Sequence, residues 1–304
     1  MPDPSTFAPP PELAKHVRET CGEAGEEWLA RLPVIIRQCE ETWAVNIGAA
    51  FQMAEFNFVA PADGHPYGPS VIKIAPPFEN EEFRTEAAYL RNHNGRGCVA
   101  LLEEDVERRA ILIERAEPGV NFADHFSGHE MDSINPAIDI LRRVASPPPK
   151  NEQDVITLRD WFGNLNRCES SAFPAGYAGR ALDAYGRLSA DASMMYLHGD
   201  LHPGNIVTAT REPFLLIDPK GILGPIGYEI AVFLNNFHWW QEDCADVRWR
   251  LATAVERFSE AFDIPETDLR EWAFAQMVLS AWWTFDEMPN LYDNDVAKAD
   301  IWDV

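Results

Sequence analysis

The chain has 304 residues, of which 46% are hydrophobic, enough for one large domain or for two lobes with separate cores. Its 49 acidic residues outnumber its 25 basic residues and give a net charge of −24, which disfavours nucleic acid and anionic membranes as partners and favours a cationic one. The sequence shows no secretion signal, no membrane-spanning run and no paired cysteine spacing, so we expect a cytoplasmic protein.

The first part of the chain is predicted to be rich in β-strands after an opening helix. The segments AEFNFVAP and SVIKIA are typical of short strands, and the connection ADGHPYG between them predicts a hairpin. In the next segment, Phe83, Ala87 and Leu90 recur at helical spacing, and RRAILIE predicts a further strand that runs into a Pro-Gly break.

The second part is predicted to be mainly helical. Apolar residues recur at helical spacing from about Phe122 onward, with an interruption at SPPPK, residues 146–150. This order predicts an α+β protein with two unlike lobes, a β-rich first lobe at residues 1–116 and a larger helical lobe at 117–304. A cleft between two lobes is a usual place for a ligand.

The segment YLHGDLHPGNIVTATREPFLLIDPKG, residues 196–221, carries the densest group of polar side chains. His198 and His202 have the spacing of zinc ligands on a helix, but Pro203 and Gly204 oppose a helix and a third ligand is missing. We therefore expect no zinc site, and we expect His198 to be a buried, hydrogen-bonded loop residue.

Three oxygen-bearing side chains remain in this segment: Asp200, Asn205 and Asp218, the last at the end of the apolar strand FLLI. Oxygen ligands suit Mg²⁺, which needs few protein ligands beside a nucleotide because phosphates and waters fill its other positions. A further carboxylate, Asp200, could then orient an attacking hydroxyl and accept its proton.

HGDLHPGN followed by IDPKG resembles the catalytic and metal-binding loops of the aminoglycoside phosphotransferase family, which shares the bilobal protein-kinase-like fold. LLIDPKGILGPIGYEIAVFL is similar, more specifically, to the branch of streptomycin 6-kinases and hydroxyurea phosphotransferases. The resemblance implies that Asp200 is the catalytic base and that Asn205 and Asp218 bind Mg²⁺. It also implies that Tyr228 and Glu229 tie the loop to the following helix.

The resemblance requires a lysine for the nucleotide phosphates and a carboxylate to pair with it. Lys73 lies among apolar, mostly β-branched neighbours in SVIKIA, where a lysine is costly to bury without a partner; the alternative is an edge position facing solvent. Glu86, beside the apolar stripe of the next helix, is the expected partner, with Glu82 as the other candidate.

The other nucleotide contacts implied by the resemblance involve the backbone. Gly48 is the one glycine of NIGAAFQMAEF, which lacks the GxGxxG pattern, and the amides from Ile47 to Phe51 are expected to cover the phosphates. LIERAEPGV resembles the family's hinge, which implies adenine binding near Glu114 to Ala116. Backbone recognition leaves ATP and GTP both open as donors.

Tryptophans and carboxylates occur together near the end of the chain, in NNFHWWQEDCADVRW and LSAWWTFDEMPNLYDND. Tryptophan faces pack on sugar rings and carboxylates bind ammonium or guanidinium groups, although tryptophans at helical spacing also pack in cores. We take Asp286 and Glu287 as candidates for binding the acceptor.

The resulting hypothesis is a small-molecule kinase that transfers the γ-phosphoryl group of a magnesium nucleotide to a hydroxyl of a cationic antibiotic such as streptomycin. His202, where protein kinases carry lysine, favours a small molecule over a protein as acceptor. Two alternatives stay open: a metabolite or sugar kinase of the same fold, and a nucleotide-binding regulatory module without turnover.

Overall fold

The structure is a computed structural model that describes residues 8–52, 54, 56–78, 82–149, 155–170, 172–240, 246–287, 296 and 298–303, with backbone only at 169–170, 238–240 and 287. The chain divides into two compact units, Met1–Gly119 and Val120–Val304, whereas the sequence places the boundary between residues 116 and 117. The first unit holds a β-sheet and the second is mainly helical, which confirms the predicted α+β class.

The first unit is built on one antiparallel sheet with the strand order β1-β2-β3-β5-β4. Its elements are α1 (Pro11–Trp43), β1 (Asn46–Ile47), β2 (Phe58–Asp63), β3 (Ser70–Ile74), α2 (Glu82–His93), β4 (Leu101–Asp105) and β5 (Ala110–Glu114). The β2–β3 pair confirms the predicted hairpin, with Val59 opposite Lys73. The sequence did not predict β4, whose partly exposed LLEED segment lacks a buried alternation.

The core of the first unit lies between α1 and one face of the sheet. Leu32 and Ile36 of α1 are fully buried there, together with Ile72 and Ile74 of β3. Successive side chains of a strand point to opposite faces, so Lys73 projects from the other face of the sheet. This alternation separates the apolar core from the lysine.

The second unit combines helices with two small sheets. Its elements are β6 (Pro118–Asn121), which spans the boundary, α3 (Phe122–His125), α4 (Ile134–Val144), β7 (Ile156–Thr157), α5 (Leu158–Gly163), α6 (Ala175–Ser189), β8 (Met195–Leu197), β9 (Ile206–Ala209), β10 (Phe214–Leu216), β11 (Ile222–Gly224), α7 (Ile226–Trp240), α8 (Val247–Phe262) and α9 (Glu266–Glu287). Helix α9 packs against α6 and α7.

The two sheets of the second unit, ordered β10-β9-β6 and β7-β11-β8, present two loops. One loop joins β8 to β9 and contains residues 198–205, and the other joins β10 to β11 and contains 217–221. The predicted strand FLLI is confirmed as β10. None of the helices described for this chain is long and apolar enough to cross a membrane.

Candidate active site

The loop between β8 and β9 is closed by hydrogen bonds to the backbone of Asp200. The Asp200 carbonyl accepts from the His202 amide at 2.9 Å and from Asn205 Nδ2 at 3.0 Å. Asn205 Nδ2 also lies 3.4 Å from Asp200 Oδ2. Because Asn205 uses its amide nitrogen inside the loop, its Oδ1 is the atom with which it can bind a cation.

Asp218 is brought beside this loop by the backbone. The amide of Ile217 donates to the carbonyl of Asn205 at 3.0 Å, so the residue that precedes Asp218 is bonded directly to the other predicted magnesium ligand. Asp218 itself has a φ of 60°, in the left-handed region that non-glycine residues seldom occupy. Such backbone strain is concentrated at functional sites, and here it is held by the neighbouring bonds.

His198 connects the two loops through hydrogen bonds. Its Nε2 donates to the Ile217 carbonyl at 2.8 Å, its Nδ1 accepts from the Asp200 amide at 3.3 Å, and its own carbonyl accepts from the Lys220 amide at 2.7 Å. Burial lowers the pKa of His198 to about 3, so the ring is neutral and keeps one donor and one acceptor. The predicted buried, hydrogen-bonded role is confirmed.

Glu229 fixes the same loop from the first turn of α7. Its carboxyl oxygens lie 2.9 and 3.2 Å from the amide of Gly199, and the side chain is 1% exposed. Burial raises the pKa of Glu229 to about 8, against the opposing effect of the Gly199 amide. Gly199 has a φ of 85°, so glycine suits this contact. The predicted tie between the loop and the following helix is confirmed for Glu229, and for Tyr228 it stays a prediction.

The carboxylate of Asp200 remains accessible on this rigid base. Its side chain is 36% exposed, and the one described ionisable neighbour paired with it, His202, lies 3.8 Å away between Nε2 and Oδ2. Both partners of that contact face solvent to the same extent. An incoming hydroxyl can therefore reach Asp200 without first breaking a buried ion pair.

In the first unit, Lys73 and Glu86 form a buried ion pair. Lys73 Nζ lies 2.6 and 2.7 Å from the two carboxyl oxygens of Glu86, and the side chains are each 10% exposed. The partner of Lys73 is thus the expected residue of α2, and Lys73 does not face solvent at an edge. Its role toward a nucleotide stays a prediction.

The loop after β1 has fewer amides for phosphate than the sequence implied. The amide of Gly48 donates to Pro61 and that of Phe51 to Val59, both at 2.8 Å, so strand pairing continues past β1. A Cβ on Gly48 would lie 2.9 Å from Pro61 Cγ, which gives this glycine a packing role. Phosphate binding by the intervening amides stays a prediction.

The predicted adenine segment is also engaged in the sheet. The Glu114 amide donates to the Ala100 carbonyl at 2.8 Å, and the Glu114 carboxylate accepts from the Ala100 amide at 3.0 Å. Ala116 follows this pairing and is half-buried. Adenine binding at Glu114 to Ala116 therefore stays a prediction, with Ala116 the better placed of the two.

The comparison with known families decides the identity of the chain. The sequence profile of the aminoglycoside/hydroxyurea antibiotic resistance kinases matches residues 53–287. The chain belongs to this family. Membership confirms the predicted class of enzyme, a phosphotransferase that acts on a hydroxyl group with a nucleotide as donor.

Individual relatives of this antibiotic resistance kinase agree with the family. Streptomycin 6-kinase of Streptomyces glaucescens is 25% identical over 296 residues, 91% of each chain. The structure of choline kinase LicA from Streptococcus pneumoniae has a TM-score of 0.60 at 14% identity, covering 88% of this chain and 96% of that one. A thermostable mutant of aminoglycoside phosphotransferase APH(4)-Ia, with ADP and hygromycin B, has a TM-score of 0.58 at 13% identity with the same coverage. These structures confirm the protein-kinase-like fold.

The candidate acceptor residues of this kinase lie at the end of α9. Asp286 Oδ2 is 2.8 Å from Arg167 Nη2 in an exposed ion pair, while the side chain of Glu287 lies outside the described residues. Trp282 is buried in the core, which agrees with the packing interpretation, whereas Trp249 is 63% exposed. The side chains of Trp239 and Trp240 lie outside the described residues. An acceptor role for Asp286 and Glu287 stays a prediction.

Sequence reasoning missed two residues near this end of α9. Trp161 of α5 makes an edge-on contact with Trp283, with ring centroids 5.2 Å apart, and Arg167 pairs with Asp286. Both contacts join positions more than a hundred residues apart, and no periodicity within a segment indicates such a pairing. The adjacent tryptophans of the LSAWWTFDEM segment were the one feature of the sequence that pointed to this end of α9.

Proposed function

We propose that this kinase transfers the γ-phosphoryl group of a magnesium nucleotide to a hydroxyl group of streptomycin or a closely similar cationic antibiotic. The observation that carries the proposal is the closed loop that presents the exposed Asp200 carboxylate beside Asn205 and Asp218. The similarity to streptomycin 6-kinase along almost the whole chain supports the choice of acceptor.

Asp200 acts on the acceptor hydroxyl in this mechanism. Its carboxylate accepts a hydrogen bond from the hydroxyl, orients the oxygen in line with the γ-phosphorus, and takes the proton as the new oxygen–phosphorus bond forms. The bond from the γ-phosphorus to the bridging oxygen breaks, the nucleoside diphosphate leaves with that oxygen, and the proton passes from Asp200 to solvent. His198 and Glu229 keep the Asp200 backbone in position for this step.

Asn205 and Asp218 would hold the metal, and Lys73 would bind the nucleotide phosphates. Hard oxygen donors from one amide and one carboxylate fit Mg²⁺, which when bound neutralises the charge of the transferred group. Glu86 of α2 binds the ammonium group of Lys73, so the position of that ammonium group is fixed before a nucleotide arrives. ATP and GTP are both compatible with a backbone-bound base.

A cationic acceptor in the cytoplasm completes the proposal. A net charge of −24 attracts cations to the protein and disfavours nucleic acid. The family description names aminoglycosides and hydroxyurea. Aminoglycosides are cationic and hydroxyurea is uncharged, so the acidic excess favours an aminoglycoside as the acceptor. A metabolite kinase is the second candidate, because the fold is shared with choline kinase.

Nucleotide turnover with a panel of acceptors tests the proposal. The panel contains streptomycin, kanamycin, hydroxyurea, choline and common sugars, each with ATP or GTP, with Asp200→Asn as the inactive control. We expect streptomycin to stimulate nucleotide turnover by the wild type and not by Asp200→Asn. Stimulation by choline or a sugar would support a metabolite kinase, and nucleotide binding without stimulation by any acceptor would support a regulatory module.

A further inference from the structure

We propose that Trp161, Trp283 and Asp286 form the acceptor platform of this kinase, on which Asp286 binds a guanidinium group of the acceptor in the place that Arg167 fills when no acceptor is bound. This inference rests on the proposed function and adds to it the chemical class that the site selects, a ring-containing guanidinium cation. Arg167, on this account, is an internal competitor of the substrate.

Trp161 and Trp283 form an aromatic surface that is only partly buried. Trp161 and Trp283 are half-buried and meet edge to face, at an interplanar angle of 88°. Trp282, the neighbour of Trp283 on α9, is by contrast 2% exposed and packs on Phe173 and Phe285. Partly exposed tryptophan faces suit the apolar face of a sugar or cyclitol ring.

This surface adjoins the catalytic loop through Tyr228. The ring of Tyr228 lies 6.1 Å from that of Trp161, and the next residue, Glu229, is bonded to Gly199, immediately before Asp200. The charge of Asp200 also acts on Tyr228, where it contributes to the raised pKa of the phenol, of which burial is the main cause. Tyr228 therefore links the tryptophan surface to the segment that holds the loop of Asp200.

At Asp286, one member of the proposed platform, the structure already holds a guanidinium group. Arg167 donates to Asp286 at 2.8 Å while its guanidinium carbon lies 5.3 Å from the centroid of Trp282. A carboxylate together with an aromatic ring is a typical environment for guanidinium. The Arg167 and Asp286 side chains are 55% and 46% exposed, and such exposed pairs contribute little to stability, so a ligand can displace Arg167.

Competition by Arg167 predicts opposite effects for the two partners of the ion pair. Asp286→Asn removes the acceptor's anchor and should raise the streptomycin KM about five- to tenfold. Arg167→Gln removes the competitor and should lower the same KM about two- to fivefold, because the competent site is then always available. A merely structural ion pair would change KM in the same direction in both variants.

A matched control is available elsewhere in the second unit. Arg180 and Asp303 form an ion pair with side-chain exposures of 53% and 46%, and the Arg180 guanidinium lies 4.0 Å from the Phe274 centroid. This pair has the same chemistry but joins α6 to Asp303, which follows the short 3-10 helix Ala299–Trp302. Asp303→Asn and Arg180→Gln should leave the streptomycin KM unchanged.

The test combines KM measurements with calorimetric binding of streptomycin to Asp200→Asn protein that carries each substitution. We expect opposite shifts of the streptomycin KM for substitutions at residues 167 and 286, and no shift of the nucleotide KM. We also expect weaker streptomycin binding in Trp283→Ala. Shifts of the same sign, or equal shifts in the Arg180–Asp303 control, would overturn the inference.

The binding measurement separates this inference from the proposed function. If Asp200→Asn protein binds streptomycin in a manner that depends on Asp286, but the wild type transfers no phosphoryl group to it, the platform stands and the proposed reaction fails. If the wild type phosphorylates streptomycin with a KM insensitive to residues 161, 167, 283 and 286, the reaction stands and the platform is wrong.

Discussion

At the scale of single residues, the Lys73–Glu86 pair buries two charges, which is costly for stability, and Lys73 is proposed to bind the nucleotide phosphates. Both side chains are almost fully buried, and a buried ion pair gains little over apolar residues of the same volume. Loss of one partner is different, because it leaves the other charge without compensation inside the protein. The two roles can therefore be separated by substitution.

Lys73→Met should destabilise the protein by about 3–5 kcal/mol, because the Glu86 carboxylate is then buried without its cation. The double variant Lys73→Met/Glu86→Leu should recover most of that stability, yet its nucleotide KM should remain raised and its turnover low. Urea unfolding and steady-state kinetics on the same three proteins provide the comparison. A double variant with wild-type kinetics would contradict the nucleotide role of Lys73.

At the scale of elements, Gly227 allows α7 to approach α9 closely, and Gly224 allows β11 to approach α5. A Cβ on Gly227 would lie 2.5 Å from Trp272 Cδ1, and one on Gly224 would lie 2.2 Å from Leu158 Cδ1. Gly227 directly precedes Tyr228, and Gly224 lies four residues before Tyr228. The spacing of the motif therefore reflects tight packing around the start of α7, which carries the carboxyl group that holds Gly199.

Gly227→Ala should lower the free energy of unfolding by about 1–3 kcal/mol, because the added methyl group overlaps Trp272. Gly179→Ala is the matched control in α6, where a Cβ meets nothing within 4 Å. That change should raise the free energy of unfolding by about 0.5–1 kcal/mol through helix propensity. Thermal unfolding of both variants measures the difference, and equal effects would refute the packing argument.

Glu229→Gln should change how stability depends on pH. The folded-state pKa of about 8 lies above the ordinary value of 4.5, so the folded protein binds this proton more tightly than the unfolded chain. The contribution of Glu229 is fully present below about pH 4.5 and is lost as pH rises through about 8.

Glutamine cannot titrate, so the stability of the variant relative to wild type should rise between pH 5 and 9, by an amount on the order of a few kcal/mol. Urea unfolding of both proteins at several pH values checks this. The contributions of the other titrating groups cancel when the unfolding free energy of one protein is subtracted from that of the other. A constant difference across that range would show that Glu229 has an ordinary pKa in the folded state.

The elements also explain which parts of the site could be predicted from sequence. Asp200, Asn205 and Asp218 lie in contiguous loops whose spacing is visible in one segment, and Lys73 stands out in its apolar strand. The engagement of Gly48 by Pro61 and the meeting of Arg167 with Asp286 depend on strand register and helix packing, which no local pattern reveals. Strands β7, β8 and β11 are two or three residues long, too short for an alternation to appear.

At the scale of the whole molecule, the acidic excess should affect substrate binding. A protein with a net charge of −24 raises the local concentration of cations, and salt screens this attraction. Raising the ionic strength from about 0.02 M to about 0.3 M should increase the streptomycin KM about three- to tenfold. Uncharged hydroxyurea serves as the control, and an equal response of both acceptors would contradict charge selection.

The most direct test of the account is transfer of the labelled γ-phosphoryl group from ATP to streptomycin in a single turnover. We predict that the wild type places the label on streptomycin and that Asp200→Asn, with nucleotide binding retained, does so about a thousandfold more slowly. Label released only as inorganic phosphate, or transfer by Asp200→Asn at the wild-type rate, would contradict the assignment of this loop as the catalytic centre of a streptomycin kinase.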